Sequence, residues 1–187
     1  VYRISGEVKD WYDGKIMDRA VLIVCGDDRP GVLDDVSRFI LDRGCNIEES
    51  RVNSLRGQFA LLLLVSGEGH SIGRLRSEVR GLAEADQLTI EVRPAGEGRA
   101  SGAAPYRFVV MGTDQTALIQ QASHLLRVLN VNIEDVQTTV SRGIDGSSSA
   151  RVEMRLSVPR ETPVVKLEEY LNTVCRGLNA DGSLTPV

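Results

Sequence analysis

The residues best suited to chemistry form one short run, Gly26-Asp27-Asp28-Arg29-Pro30-Gly31, between an apolar segment and a helical stripe. Asp28 sits where an N-cap belongs, and Pro30 falls in the first helical turn, where its missing N–H costs little. Gly31 has no side chain, so a ligand can approach the backbone closely. The free N–H groups of the helix start, with the positive end of its dipole, suit a carboxylate. Asp27, Asp28 or nearby carbonyls can accept from an ammonium. Together the two demands describe a zwitterionic amino acid, and the candidate ligand-binding set on this turn is Asp27, Asp28, Arg29, Pro30, Gly31 and Val32. Taken alone, a capped turn with Pro and Gly is also ordinary helix punctuation.

No other grouping of residues points to catalysis, a metal or a cofactor. Gly67-Glu68-Gly69-His70-Ser71-Ile72-Gly73 lies in a loop between a strand and a helix and brushes against a dinucleotide fingerprint. Its third glycine comes one residue late, and the surrounding elements are not a parallel βαβ unit. The two histidines, His70 and His124, have no His, Cys or acid partner at ligand spacing and read as surface residues. Cys25 and Cys45 flank the turn, where thiol packing is the simpler role. Asp34-Asp35 and Glu48-Glu49 are charges on solvated edges rather than an acid/base pair in a cleft. The expected chain is not an enzyme.

The elements that must position the turn emerge from an internal repeat. The stretch from Ala20 has a partner from Tyr106: Gly26 matches Gly112, Asp28 matches Asp114, Asn46 matches Asn132, Ile47 matches Ile133 and Glu48 matches Glu134. One constant interval separates every pair, so the match needs no gap. Each copy starts with an apolar run, Val21 to Cys25 or Phe108 to Met111, that reads as a buried strand. A helical stripe follows, Val32, Leu33, Val36, Phe39 and Ile40 in the first copy and Leu118, Ile119, Ala122, Leu125, Leu126 and Leu129 in the second. Gly44 and Asn130 are the residues expected to end these helices in a left-handed conformation. A hairpin comes next, from Ile47 to Val65 and from Ile133 to Val158, the second with an exposed tip at SRGIDGSSS. A second helix and a last strand close each copy.

The order strand, helix, strand, strand, helix, strand, twice, predicts an α+β fold. It consists of two ferredoxin-like domains, each a four-stranded antiparallel sheet with both helices on one face. The expected boundaries are a leader at 1–19, a first domain at 20–93, a flexible linker at 94–104 and a second domain at 105–187. In the second copy the third strand alternates, with Ala150, Val152, Met154, Leu156 and Val158 inward and charged residues outward. In the first copy the same strand, Phe59 to Val65, is apolar on both faces. Its outer face is therefore expected to pack against the second copy, the leader or another chain.

The 187 residues have room for two small domains. Net charge is −4, and the arginines alternate with acids and form no basic stripe, which disfavours direct nucleic-acid binding. Three widely spaced cysteines make neither a disulfide framework nor a metal pair. With no 18-residue apolar run, the expectation is a cytoplasmic protein with no membrane partner.

The Gly26–Gly31 turn, the Asn46-Ile47 strand start and the order of elements resemble the ACT domain, a small ligand-binding module of regulators of amino-acid metabolism. The likeness covers residues 20–93 and 105–187. Two such domains and nothing else resemble the glycine cleavage system transcriptional repressor family. That resemblance implies an amino-acid sensor, for a glycine- or serine-like effector, that regulates glycine cleavage by contacting a protein partner such as a transcriptional activator, within a homo-oligomer. The same domain also implies two alternatives, a regulatory subunit of a biosynthetic enzyme or an association module without ligand. In ACT proteins the Asn-Ile element of an adjoining domain completes the pocket, which by resemblance gives Asn46, Ile47, Asn132 and Ile133 a place in the site. The second copy departs from the pattern: Gly112, Asp114 and Thr116 mark a degenerate turn in which Thr116-Ala117 replaces Pro-Gly. One competent turn, in the first copy, is the expectation.

Overall fold

The computed structural model of the chain describes residues 10–12, 15–96, 102–142 and 148–187. Most of the leader, the middle of the linker and the tip of the second hairpin lie outside the described residues. The chain divides into two compact units, 1–98 and 99–187.

In the first unit the elements are β1 (Asp10–Tyr12), β2 (Lys15–Asp27), α1 (Val32–Leu41), β3 (Asn46–Leu55), β4 (Gln58–Glu68), α2 (Gly69–Ala85) and β5 (Thr89–Pro94). The antiparallel sheet runs β3-β4-β2-β5, and β1 folds back on the start of β2, pairing Asp10 with Met17. Alternation along β2 and β4 turns Ala20, Leu22, Val24, Phe59, Leu61, Leu63 and Val65 inward, all buried. The α1 stripe (Val32, Val36, Phe39, Ile40) and Ile72 and Leu75 of α2 close the core over that face.

The second unit repeats the plan with β6 (Ala104–Gly112), α3 (Gln115–Val128), β7 (Asn132–Arg142), β8 (Ser148–Val158), α4 (Val164–Gly177) and β9 (Asp181–Pro186), in the order β7-β8-β6-β9. All five residues expected to face inward on β8 are at most 2% exposed. Leu118, Ala122 and Leu126 of α3 and Leu167, Leu171 and Cys175 of α4 cover them. Both sheets are thus antiparallel with both helices on one face, as the repeat order predicts.

The shared glycines have a packing reason. A Cβ on Gly26 would stand 2.7 Å from Leu88 Cδ2 and 3.3 Å from Phe59 Cε1; one on Gly112 would stand 3.0 Å from both Ala180 Cβ and Leu118 Cδ1. In both units the strand must come this close to the residue that leads into the last strand. Gly44 (φ +70°) and Asn130 (φ +54°) take the left-handed conformations expected beyond the first helices.

Two details differ from the sequence reading. The glycine-rich segment is not a loop up to Gly73, because α2 already begins at Gly69 and His70 sits in its first turn. Burial of Ile72 and Leu75 against the sheet outweighs the poor helix propensity of Gly69 and Gly73. The cap of α1 is also not Asp28. The helix starts at Val32 with Gly31 as its N-cap and no side-chain cap. In the second unit Asp114 does cap α3, its carboxylate accepting from the Ala117 N–H at 2.9 Å. Asp114→Ala should therefore cost about 1 kcal/mol, read by chemical denaturation, whereas the matching Asp28→Ala removes no cap.

Candidate functional site

The different start of the two helices shapes the candidate site. Pro30 restricts the residue before it, pushing Arg29 out of the α-helical region. Gly31 then takes φ +94°, a left-handed conformation that glycine adopts without steric cost. The helix is delayed by a turn relative to α3, which starts at Gln115, the position matching Arg29. In the first unit the segment 28–31 is left as an open loop, while in the second the same stretch is the first turn of the helix.

Side chains hold that loop in place. The Asp28 N–H donates to the Gly57 carbonyl at 2.8 Å, and its carboxylate accepts from Ser54 Oγ. Asp27 accepts from the side-chain amide of Gln58, its partner across β4. Arg29 forks between two acids, with Nη1 3.0 Å from Asp35 in α1 and Nη2 2.9 Å from Asp86 at the end of α2. Beside it opens a cavity of about 320 Å³ lined by Asp27, Arg29, Ala85, Asp86 and Gln87. Val32 buries its side chain in the core, and its N–H donates to the Arg29 carbonyl at 3.5 Å.

Charge restricts what could sit there. Asp27, Asp28, Asp34, Asp35 and Asp86 surround Arg29 and Arg38, and both arginines are already engaged by carboxylates. A bare anion would meet net negative charge, whereas a ligand that brings its own ammonium alongside a carboxylate satisfies both signs. In the second unit Thr113, Gln115 and Gln121 take the positions of Asp27, Arg29 and Asp35, so the same fold stands without these charges.

The asparagines lie elsewhere. Asn46 opens β3 and pairs with Ser66, while Asp27 pairs with Gln58 at the other end of β4. At about 3.3 Å per residue the two places are roughly 26 Å apart. Asn132 is placed in the same way in its own unit, opposite Ser157, where it lines a cavity of about 410 Å³ with Asn130, Ser157, Arg160 and Glu161. Ile47 and Ile133 each precede a bulge at Glu48 and Glu134. Neither unit brings its turn and its Asn-Ile element together. Sequence reasoning missed Asp86, which its long-range pairing with Arg29 reveals, and Gln87, which lines the cavity beside it.

Burial pushes the Cys45 and Cys175 thiols up, the nearby Asp181 carboxylate adding to the rise at Cys175, whereas Cys25 is exposed. A raised thiol pKa leaves less thiolate at neutral pH. Alkylation of the native protein near neutral pH should therefore modify Cys25 alone, with the other two reacting after unfolding, as peptide mass mapping would show. His70 and His124 are both exposed, and the described residues hold no group of three or more potential metal ligands. Among the described residues no helix is long and apolar enough to cross a membrane.

A family model described as the ACT domain matches residues 18–93. The chain is 28% identical over 170 residues to a glycine cleavage system transcriptional repressor of Escherichia coli, covering 89% of each. It is 39% identical over 78 residues to a UPF0237 protein of Methanopyrus kandleri, covering 41% of this chain and 84% of that one. The crystal structure of an unknown protein from Galdieria sulphuraria superposes with a TM-score of 0.76 at 24% identity, over 91% of this chain and 99% of that one. That likeness is one of fold, and it spans both repeats.

Proposed function

Since the chain belongs to the ACT-domain family, carries that domain twice and is a regulatory protein related to the glycine cleavage repressor, we propose that it senses a small free amino acid at the Asp27–Val32 turn. It then acts on glycine cleavage at the level of transcription through contact with a protein partner. The observation that carries this reading is the delayed start of α1. Pro30 and Gly31 leave backbone open beside a charged cavity in the first unit, where the second unit has a capped helical turn.

The roles follow from chemistry. The N–H groups at the start of α1 and the Arg29 guanidinium receive the carboxylate, and Asp27 and Asp86 receive the ammonium. The cavity, about 320 Å³, has room for a free amino acid, and the relation to the glycine cleavage repressor favours glycine or serine among them. The amide wall comes from the Asn-Ile element of another domain, since Asn46 lies at the far end of its own sheet. Ligand that fits one packing of domains better than another shifts the population toward it, and the partner reads that packing. Such coupling is typically worth about 1–3 kcal/mol, or roughly 5–150-fold in partner affinity.

The test is thermal melting of the full chain with each standard amino acid in turn. A ligand at about 100 times its dissociation constant adds roughly 2.7 kcal/mol, a shift of several degrees. Glycine or serine should give that shift, and titration calorimetry should return one site per chain. A flat response to every amino acid removes the sensing role.

A further inference from the structure

We propose that the outer face of the first unit's sheet docks on the same face of a second copy of the chain, related by a two-fold axis running along the strands between β2 and β4. Residues opposed in register share a face, so the pairing gives the pattern directly. Read across the sheet from β3 through β4 and β2 to β5, one outward row is Glu49, Leu64, Val21 and Arg93. The next is Arg51, Leu62, Ile23 and Glu91. The middle of the face is apolar, and Leu62 at its centre is 44% exposed. The rim carries an acid and a base on each side, in opposite order.

That order makes the face complementary to itself. Rotation about the proposed axis exchanges the two sides of the sheet while keeping each residue's level. Glu49 then lies over Arg93 of the partner subunit, and Arg51 over Glu91 of the partner subunit. Leu62 meets the partner's Ile23, and Leu64 the partner's Val21. By symmetry each contact occurs twice, and all four rim pairs join unlike charges around an apolar centre. Sheets packed face to face, about 10 Å apart, interdigitate side chains of this kind.

The fold itself does not ask for this surface. The second unit has the same sheet, yet the positions matching Val21, Leu64 and Leu62 are Arg107, Arg155 and Glu153, and only Val109, at the place of Ile23, is apolar. Ion pairs join Arg107 to Glu153 and Arg151 to Glu153. A solvated face is thus compatible with the architecture, and the apolar one in the first unit calls for an occupant. A second copy supplies both the apolar area and the reversed charge order.

Sedimentation equilibrium of the full chain tests the proposal. The native protein should be dimeric at micromolar concentration. Leu62→Glu, which places two carboxylates in the dry centre, should weaken association at least 100-fold while leaving the circular dichroism unchanged, because the side chain points away from the core. Should that variant fail to fold, the rim gives an independent reading. Arg93→Glu should weaken the dimer roughly ten-fold, since each lost ion pair counts twice, and adding Glu49→Arg should restore it. A two-fold axis across the strands would instead set Arg51 against the new arginine, so the restoration reports the orientation. A native monomer at all concentrations, a dimer indifferent to Leu62→Glu, or an Arg93→Glu loss that Glu49→Arg does not repair would each overturn the proposal.

Discussion

Leu63→Ala should lower the unfolding free energy of the first unit by about 2–5 kcal/mol, the range for emptying a fully buried leucine site. Leu63 is completely buried on β4, opposite Leu22 of β2, in the same core cluster as Val36, Ile40 and Leu75. Four elements converge on it, so the cavity has little freedom to collapse. Its neighbour Leu62 is chemically identical but points to the other face and is 44% exposed. Leu62→Ala should cost the isolated chain well under half as much. The contrast tests register as well as burial, because a one-residue slip of β4 would exchange the two phenotypes. In a unit of this size, 1 kcal/mol corresponds to roughly 4–8 °C in melting temperature. The Leu63→Ala loss is therefore measurable by calorimetry or by amide exchange in β2 and β4. Equal costs for the two variants would contradict the pairing of Leu63 with Leu22.

Why the fold could be read from sequence follows from the same residues. Inward and outward positions on β8 alternate without exception, and the α1 and α3 stripes keep helical spacing, so burial alone fixes sheet face and helix face. Gly26 and Gly112 recur because a Cβ would strike the residue leading into the last strand, a constraint that both copies of one fold must share. The start of α1 was harder to see. Asp28 and Asp114 occupy matched positions and have the same chemistry, yet only Asp114 caps a helix. The deciding signal is Pro30, which denies helical geometry to Arg29 and hands the N-cap to Gly31. Asp86 and Gln87 carried no local signal at all. They join the site only because α2 returns its C-terminal end to the turn, and the Arg29–Asp86 ion pair bridges elements far apart in sequence. The Asn-Ile elements were legible as a repeat, but their separation from the turn within each unit depends on which end of the sheet each strand begins.

Gly31→Ala should abolish the ligand-induced gain in stability, about 2.7 kcal/mol for the native chain at 100 times its dissociation constant, while leaving the first unit folded. At φ +94° an alanine carries a strain of roughly 1–2 kcal/mol. The space itself is open, since beyond its chain neighbours Pro30 and Val32 the nearest atom to a Cβ there would be Arg29 Nη1, at 3.9 Å. The cost without ligand is therefore backbone strain, which lowers the starting melting temperature, whereas the ligand effect is the shift measured from each variant's own starting point. The two are separable in one experiment. The methyl stands beside the guanidinium nitrogen that already binds Asp35 and on the stretch of backbone that a carboxylate must reach, so it obstructs approach without filling the core. The reverse exchange in the second unit makes the matching control. Ala117→Gly restores the glycine but not the proline, α3 still starts at Gln115 under the Asp114 cap, and the positions of Asp27, Arg29 and Asp35 remain Thr113, Gln115 and Gln121. No second site should appear in that variant's calorimetric titration. If Gly31→Ala keeps the full shift, the amino acid binds away from this turn, and the delayed helix start is a feature of folding alone.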